Sequence, residues 1–513
     1  MKYNKYLAVI LTTVTFLYAC VDDKGNYAYL DMEDIVPAEV HNIEPSYTKY
    51  MMDTLHISPR LADGSNEADY DYLWYIYSPD MAVDTLGYEK ELSYLISISP
   101  RTNYTITFRI TNKRTGVFNY HYSALNVIAP FDEGWYITKD IDNMTDIDMV
   151  KPDETVLKDI LKNINGQGVP GEGVLCADTR YISVMVPLGS STGQDTILKN
   201  HNCIYLMTRS TVQLYDIVEM KLLNKFGDLF MEAPTAAPQE LSCTRDFKVI
   251  VNNNVPYVLD TRSSSENIGK WGVAVAGDAQ IDPTNICRTS LGCFLVFDKN
   301  TNSLKMLNTL TNTFGALGNA GLYPCNNMDY NMVFMREKVG MMQGGVSIMK
   351  KKNTEEYYGF TIKGYNGGGL WEIPGMPAML YTNPIQNCVR IPDGSKVLDA
   401  KIYGTHNNMD MIYFSKGDNE VWCYNLTSPR EDRIVSFPAG ETVTYINSVV
   451  KYINGGEEWY FAVLTVKDGK WKFYLHNFQP SSQLVVPEPV AVYSGEGTPR
   501  HVHYRSLTST TSF

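Results

Sequence analysis

The chain has 513 residues, more than one hydrophobic core usually organises, so two or more domains are expected. At 44% hydrophobic and 20% charged it is not a disordered chain, and its 36 tyrosines among short Val/Ile/Thr runs favour strands over helices. A formal net charge of −13, with no basic stripe of interleaved aromatics, argues against nucleic-acid binding.

Residues 1–19, MKYNKYLAVILTTVTFLYA, read as a secretory signal peptide. Lys2 and Lys5 form the positive start, Leu7 to Leu17 the apolar stretch, and Ala19 the small residue before Cys20. The apolar stretch is too short to span a bilayer stably. The ending Leu17-Tyr18-Ala19-Cys20 resembles a bacterial lipobox, which implies that Cys20 becomes the acylated N-terminus. Several acyl chains anchor firmly, because each buried CH₂ is worth about 0.8 kcal/mol. No other apolar run reaches the length of a membrane span, so the lipid is the only membrane attachment expected.

Residues 20–40 are polar, acidic and broken by Pro37, and read as a tether. Residues 41–129 carry short strands and turn signals around one mid-domain Trp74, the pattern of an immunoglobulin-like sandwich. Tyr70–Tyr77 is rich in strand formers. In Asn103–Thr111, Tyr104, Ile106, Phe108 and Ile110 share one face, and Asn112 to Gly116 forms the turn into a returning strand.

The lipobox, the following DDKGNYAY and the strand YLWYIYSPD together resemble the PKD-like lipoproteins of Bacteroidetes. The resemblance covers roughly residues 17–130. It implies a PKD-like sandwich, a place on the outer face of the outer membrane (signalled by Asp22-Asp23) and partnership with a SusC/SusD-like nutrient importer. YIYSPD lacks the glycine-rich turn of the standard PKD signature, so the domain is PKD-like rather than typical.

Residues 130–513 return repeatedly to hairpins. FLVFDKNTNSLKML and IYFSKGDNEVWCYN share a strand, polar turn, strand pattern, and one unit used several times is expected. At roughly 40–50 residues per blade the segment accommodates about seven or eight blades of a β-propeller, which solves the edge problem of so many hairpins. One helix is expected, with Pro152 in its first turn, Val156, Leu157, Ile160, Leu161 and Ile164 on one face, and Gly166 as its stop.

The signals for chemistry are sparse. Gly189-Ser190-Ser191-Thr192-Gly193 has the letters of a nucleophile elbow but no room for the helix that must follow, so it reads as a hairpin loop. Asp140, Asp142, Asp146 and Asp148 hint at a calcium loop, yet an EF-hand's Gly and Glu positions hold Thr145 and Lys151, leaving a solvated acidic turn. His501 and His503 share a strand face, but two histidines between Arg500 and Arg505 do not make a zinc site. Of the eight cysteines besides Cys20, Cys287 and Cys293 are the first pair to test for a disulfide. Trp371, with Tyr365 before a run of three glycines, is the candidate ligand-binding platform. No cofactor, metal or catalytic residue is expected. The reading is a non-enzymatic, lipid-anchored protein that captures an oligosaccharide or peptide, with a surface hydrolase on a propeller scaffold as the alternative.

Overall fold

The computed structural model describes residues 35–506 apart from 52, 78–82, 188–195, 244–246, 262–268, 291–292, 310, 316, 320, 340–343, 364–382 and 454–455. The chain divides into two compact units, Met1–Ile128 and Ala129–Phe513. The fold is mainly β, a PKD-like sandwich followed by a β-propeller.

In the first unit a five-stranded sheet is built on Tyr70–Tyr77, Arg101–Asn112 and Phe118–Ile128, flanked by Ser46–Tyr50 and Val83–Gly87. Thr54–Ile57 with Leu92–Leu95, and Val40–His41 with Arg60–Leu61, form two small sheets. Alternation does what the sequence predicts. Tyr104, Ile106, Phe108 and Ile110 turn inward against Trp74, whose ring lies 4.4 Å from that of Phe108. The Trp74 indole N–H donates to the Glu89 carbonyl at 3.0 Å, satisfying the one polar group of a buried ring. Residues 35–40, read as tether, already belong to this unit: Val40 is in the core, and the Ile35 carbonyl accepts from the Thr115 hydroxyl.

The second unit contains seven consecutive antiparallel sheets, here blades 1 to 7. Their inner strands are Thr498–Arg505, Gly173–Pro187, Pro238–Cys243, Ile281–Ser290, Tyr330–Glu337, Ile402–Thr405 and Thr442–Ile453. Each packs on the next, and that of blade 7 on that of blade 1, so the ring is closed. The closure is made by chain ends. Blade 1 takes its inner strand from residues 498–505 and its next two from Gly134–Ile141 and Met144–Val150, near the start of the unit.

Seven hydrophobic clusters fill the seams of this ring. A middle strand therefore serves two cores. Cys203, Tyr205 and Met207 point into the seam of blades 2 and 3, while Ile204 and Leu206 point into that of blades 1 and 2. This is why such strands read as unbroken apolar runs rather than as alternating ones. The two look-alike hairpins are the second and third strands of blades 4 and 6, so the recurrence in the sequence is the repeat of the fold. At the inner wall the blades approach closely. A Cβ on Gly404 would stand 2.3 Å from the Ile446 carbonyl oxygen of the next blade, so only glycine fits there.

Two local expectations are corrected. The helix, α1, spans only Ile160–Asn165 and ends at Gly166, as predicted. It starts late because Asp159 sits at φ 50° and Val156–Leu157 instead pairs with Met149 and Val150 as an edge strand. The acidic run is a hairpin turning at Asp142-Asn143, but Asp146 and Asp148 are buried rather than solvated. Asp146 accepts from the Leu161 and Lys162 backbone N–H groups and so serves as the cap that α1 lacks in its own sequence. Cys287, one of the pair singled out for a disulfide test, is a free, buried thiol whose cross-strand neighbour is Leu295.

Candidate functional site: the axial chamber

All seven inner strands contribute to one chamber of about 340 Å³ on the propeller axis. This lies at the lower end of the range for small-molecule sites. Arg336, near the end of the blade 5 inner strand, lines it. Arg336 reaches past blade 4 to blade 3, where its Nη2 donates to Glu240 Oε2 at 3.0 Å. The rest of the fork makes no hydrogen bond to a described residue. Some 38% of the side chain is open to water-sized molecules although inner strands enclose it, so that opening is into the chamber.

The surrounding charges are matched. Glu337 accepts from the Arg288 backbone N–H at 3.3 Å and lies 3.7 Å from the Arg288 guanidinium, whose Nη1 donates to the Cys243 carbonyl at 3.1 Å. Burial pushes the Glu240 carboxyl up and the charge of Arg336 pulls it back, while Glu240 holds the guanidinium firmly protonated. Arg500 is clamped at 2.6 Å by Asp140 and at 2.9 Å by Glu172. The wall is tied from blade to blade. The Thr405 hydroxyl donates to the Glu337 carbonyl at 2.7 Å, and the Ser448 hydroxyl donates to the Thr405 carbonyl at 2.8 Å.

His501 and His503, two apart on the closing strand, both line the chamber. Burial first, then the neighbouring charges of His503 and Arg336, push the His501 imidazole down to about 3, so it is neutral at physiological pH. Its Nδ1 is buried without a hydrogen-bond partner, and its ring meets Tyr445 edge-on at 5.3 Å. Among the described residues no cluster of three His, Cys, Asp or Glu is placed to hold a metal ion. The chamber thus offers hydrogen-bond donors and a neutral imidazole in a charge-balanced wall.

Cys20, Tyr365, Trp371 and the segment 189–193 lie outside the described residues. Of the other tryptophans in this unit, Trp135, Trp271 and Trp471 are core residues, and Trp422 is covered by Lys396, whose Nζ sits 3.1 Å from the ring centre. The exposed aromatics of the described structure lie instead in the sandwich. Phe118, Tyr120 and Tyr122 stand at two-residue spacing on the solvent face of one strand, with the Arg109 guanidinium 6.0 Å from the Phe118 ring centre. That spacing was legible in FNYHY. The chamber as a whole was not, because its lining is gathered from seven inner strands far apart in the sequence.

Residues 20–172 match the PKD-like family. The match starts at the cysteine read as the lipid site and runs through the second and third strands of blade 1, beyond the sandwich, ending just before blade 2. No curated protein matches the chain. Among solved structures it is similar to a quinonprotein alcohol dehydrogenase-like protein from Bacteroides thetaiotaomicron, at 13% identity and a TM-score of 0.42, covering 90% of this chain and 96% of that one. Hsv2 from Kluyveromyces lactis aligns at 8% identity and a TM-score of 0.35, over 71% of this chain and 96% of that one. PorZ, a surface component of the type-IX secretion system of Porphyromonas gingivalis, aligns at 9% identity and a TM-score of 0.31, over 79% of this chain and 53% of that one.

Proposed function

We propose that the chain is a cell-surface lipoprotein that captures a nutrient for a SusC/SusD-like importer and catalyses no reaction. Acyl chains on Cys20 hold it at the outer face of the outer membrane, and the propeller holds an oligosaccharide or peptide group. Tethering beside a transport channel raises the local ligand concentration without any new contact to the importer's own site. The observation that supports capture is the chamber, in which an enclosed guanidinium keeps donors uncommitted. Most glycoside hydrolases use a pair of carboxyl groups free to act as acid and base or nucleophile. Here Glu240 and Glu337 each face an arginine, which favours holding over bond-breaking.

Anchoring is tested in cells by metabolic labelling with an alkyne fatty acid and by external protease. The expected result is a labelled protein cleaved on intact cells, and a Cys20→Ala variant without label. Equal labelling of the variant, or protection of the parent chain from protease, contradicts the anchor.

A further inference from the structure

The structure assigns the axial chamber to a carboxylate: a ligand whose single carboxylate group is gripped by Arg336. The inference rests on the capture reading and names its ligand class. Arg336 supplies the argument. Its planar fork carries five N–H donors suited to two-point recognition of a carboxylate. Among the described residues one nitrogen of the fork is engaged, by Glu240 at 3.0 Å, and no other hydrogen bond uses it. Arg500 in the same wall is held differently, with two of its nitrogens on two separate carboxylates, Asp140 and Glu172. Arg336 is instead left open toward a chamber of about 340 Å³, room for one sugar- or amino-acid-sized group.

The second observation is His501. It lines the same chamber, is enclosed by protein, and leaves Nδ1 without a partner. That nitrogen is shut off from the chamber, so it is the rest of the ring, which is only partly buried, that faces a ligand. A neutral imidazole beside Arg336 can donate one hydrogen bond to a ligand oxygen without adding charge. Tyr445 and Asn447, also in the wall, add polar contacts for the ligand's remaining hydroxyl or amide groups. Glu240 sets the affinity. It competes with the ligand for the same guanidinium, so an incoming carboxylate must share or displace it.

Two sources present this chemistry: an acidic sugar and the free C-terminus of a peptide. Titration calorimetry of the full mature chain with D-galacturonate against D-galactose, and with N-acetyl-Gly-Ala against its C-terminal amide, separates them. At least one acid is expected to bind while its neutral counterpart does not, and the acid that binds identifies the source. Arg336→Gln is expected to weaken that acid by about 10- to 100-fold, the worth of a charged hydrogen-bonded pair. Glu240→Gln, which frees the fork, is expected to tighten it several-fold, and it answers the question even if Arg336→Gln fails to fold. Equal binding of acid and neutral forms, no binding of either acid, or weaker acid binding by Glu240→Gln overturns the assignment. Failure here leaves the anchor result untouched, and binding of the neutral sugar alone upholds capture while rejecting the carboxylate.

Discussion

Replacing Lys139 by Met is expected to cost the propeller about 3–5 kcal/mol, the penalty for removing one partner of a buried ion pair. Lys139 is 1% exposed, and its ammonium lies 2.7 Å from Asp148 Oδ1 and 2.7 Å from Asp159 Oδ1. Asp148 is fully buried, accepts the Trp471 indole N–H at 3.0 Å and accepts the Asp159 backbone N–H at 2.8 Å. The group bolts blade 1 to blade 7 and to the entry of α1, and the two carboxylates hold Lys139 protonated against its burial. Met fills the space of the stem but leaves the Asp148 charge uncompensated in a dry seam. Urea unfolding followed by circular dichroism checks this: the midpoint of the propeller transition falls. The double variant with Asp148→Asn recovers much of the loss, because the amide still accepts from Trp471 without a charge. A single variant as stable as the parent contradicts this account of the seam.

A chain ended at Gly497 is expected to lose cooperative folding of the propeller. The strand Thr498–Arg505 pairs with Gly134–Ile141 along its length. Without it, blade 1 has no inner strand and the Gly134–Ile141 edge is bare. Val502 and Tyr504 leave the seam, each worth about 1.5–3 kcal/mol of burial. Asp140 loses Arg500, Glu133 loses the Tyr504 hydroxyl at 2.9 Å, and the Trp135 ring loses its neighbour at 4.7 Å. Hydrogen exchange reads the effect directly: protection of the strand amides of blades 1 and 7 collapses. A synthetic peptide of residues 498–506 added in trans restores it. Unchanged protection in the shortened chain contradicts the closed ring.

Much of the architecture was legible because strands announce themselves locally. Phe247–Asn252, Met411–Ser415, Glu420–Asn425 and Lys470–Phe478 fall where the apolar runs and the Asp-Gly turn place them. The helix was overextended because Val156 and Leu157 fit a helical face as well as a strand. Pairing with Met149 and Val150, a tertiary fact, decided between them. The burial of Asp146 and Asp148 was hidden for the same reason. Leu161 lies beyond the hairpin and Trp471 on another blade, and the pairing of Lys139 with Asp148 needs the hairpin register that sets their side chains on one face. The chamber was nearly invisible. Only the i, i+2 spacing of His501 and His503 was a local sign, and nothing near Arg336 in the sequence points to Glu240, 96 residues away.

Capture for an importer is tested most directly by purifying the tagged, full-length lipoprotein from outer membranes in mild detergent and identifying what comes with it by mass spectrometry. The account predicts a SusC-like channel and its SusD-like lid in near-stoichiometric amounts, both lost when the Cys20→Ala form is purified in parallel. Recovery of the intact lipoprotein from the same membranes with no importer subunit contradicts it.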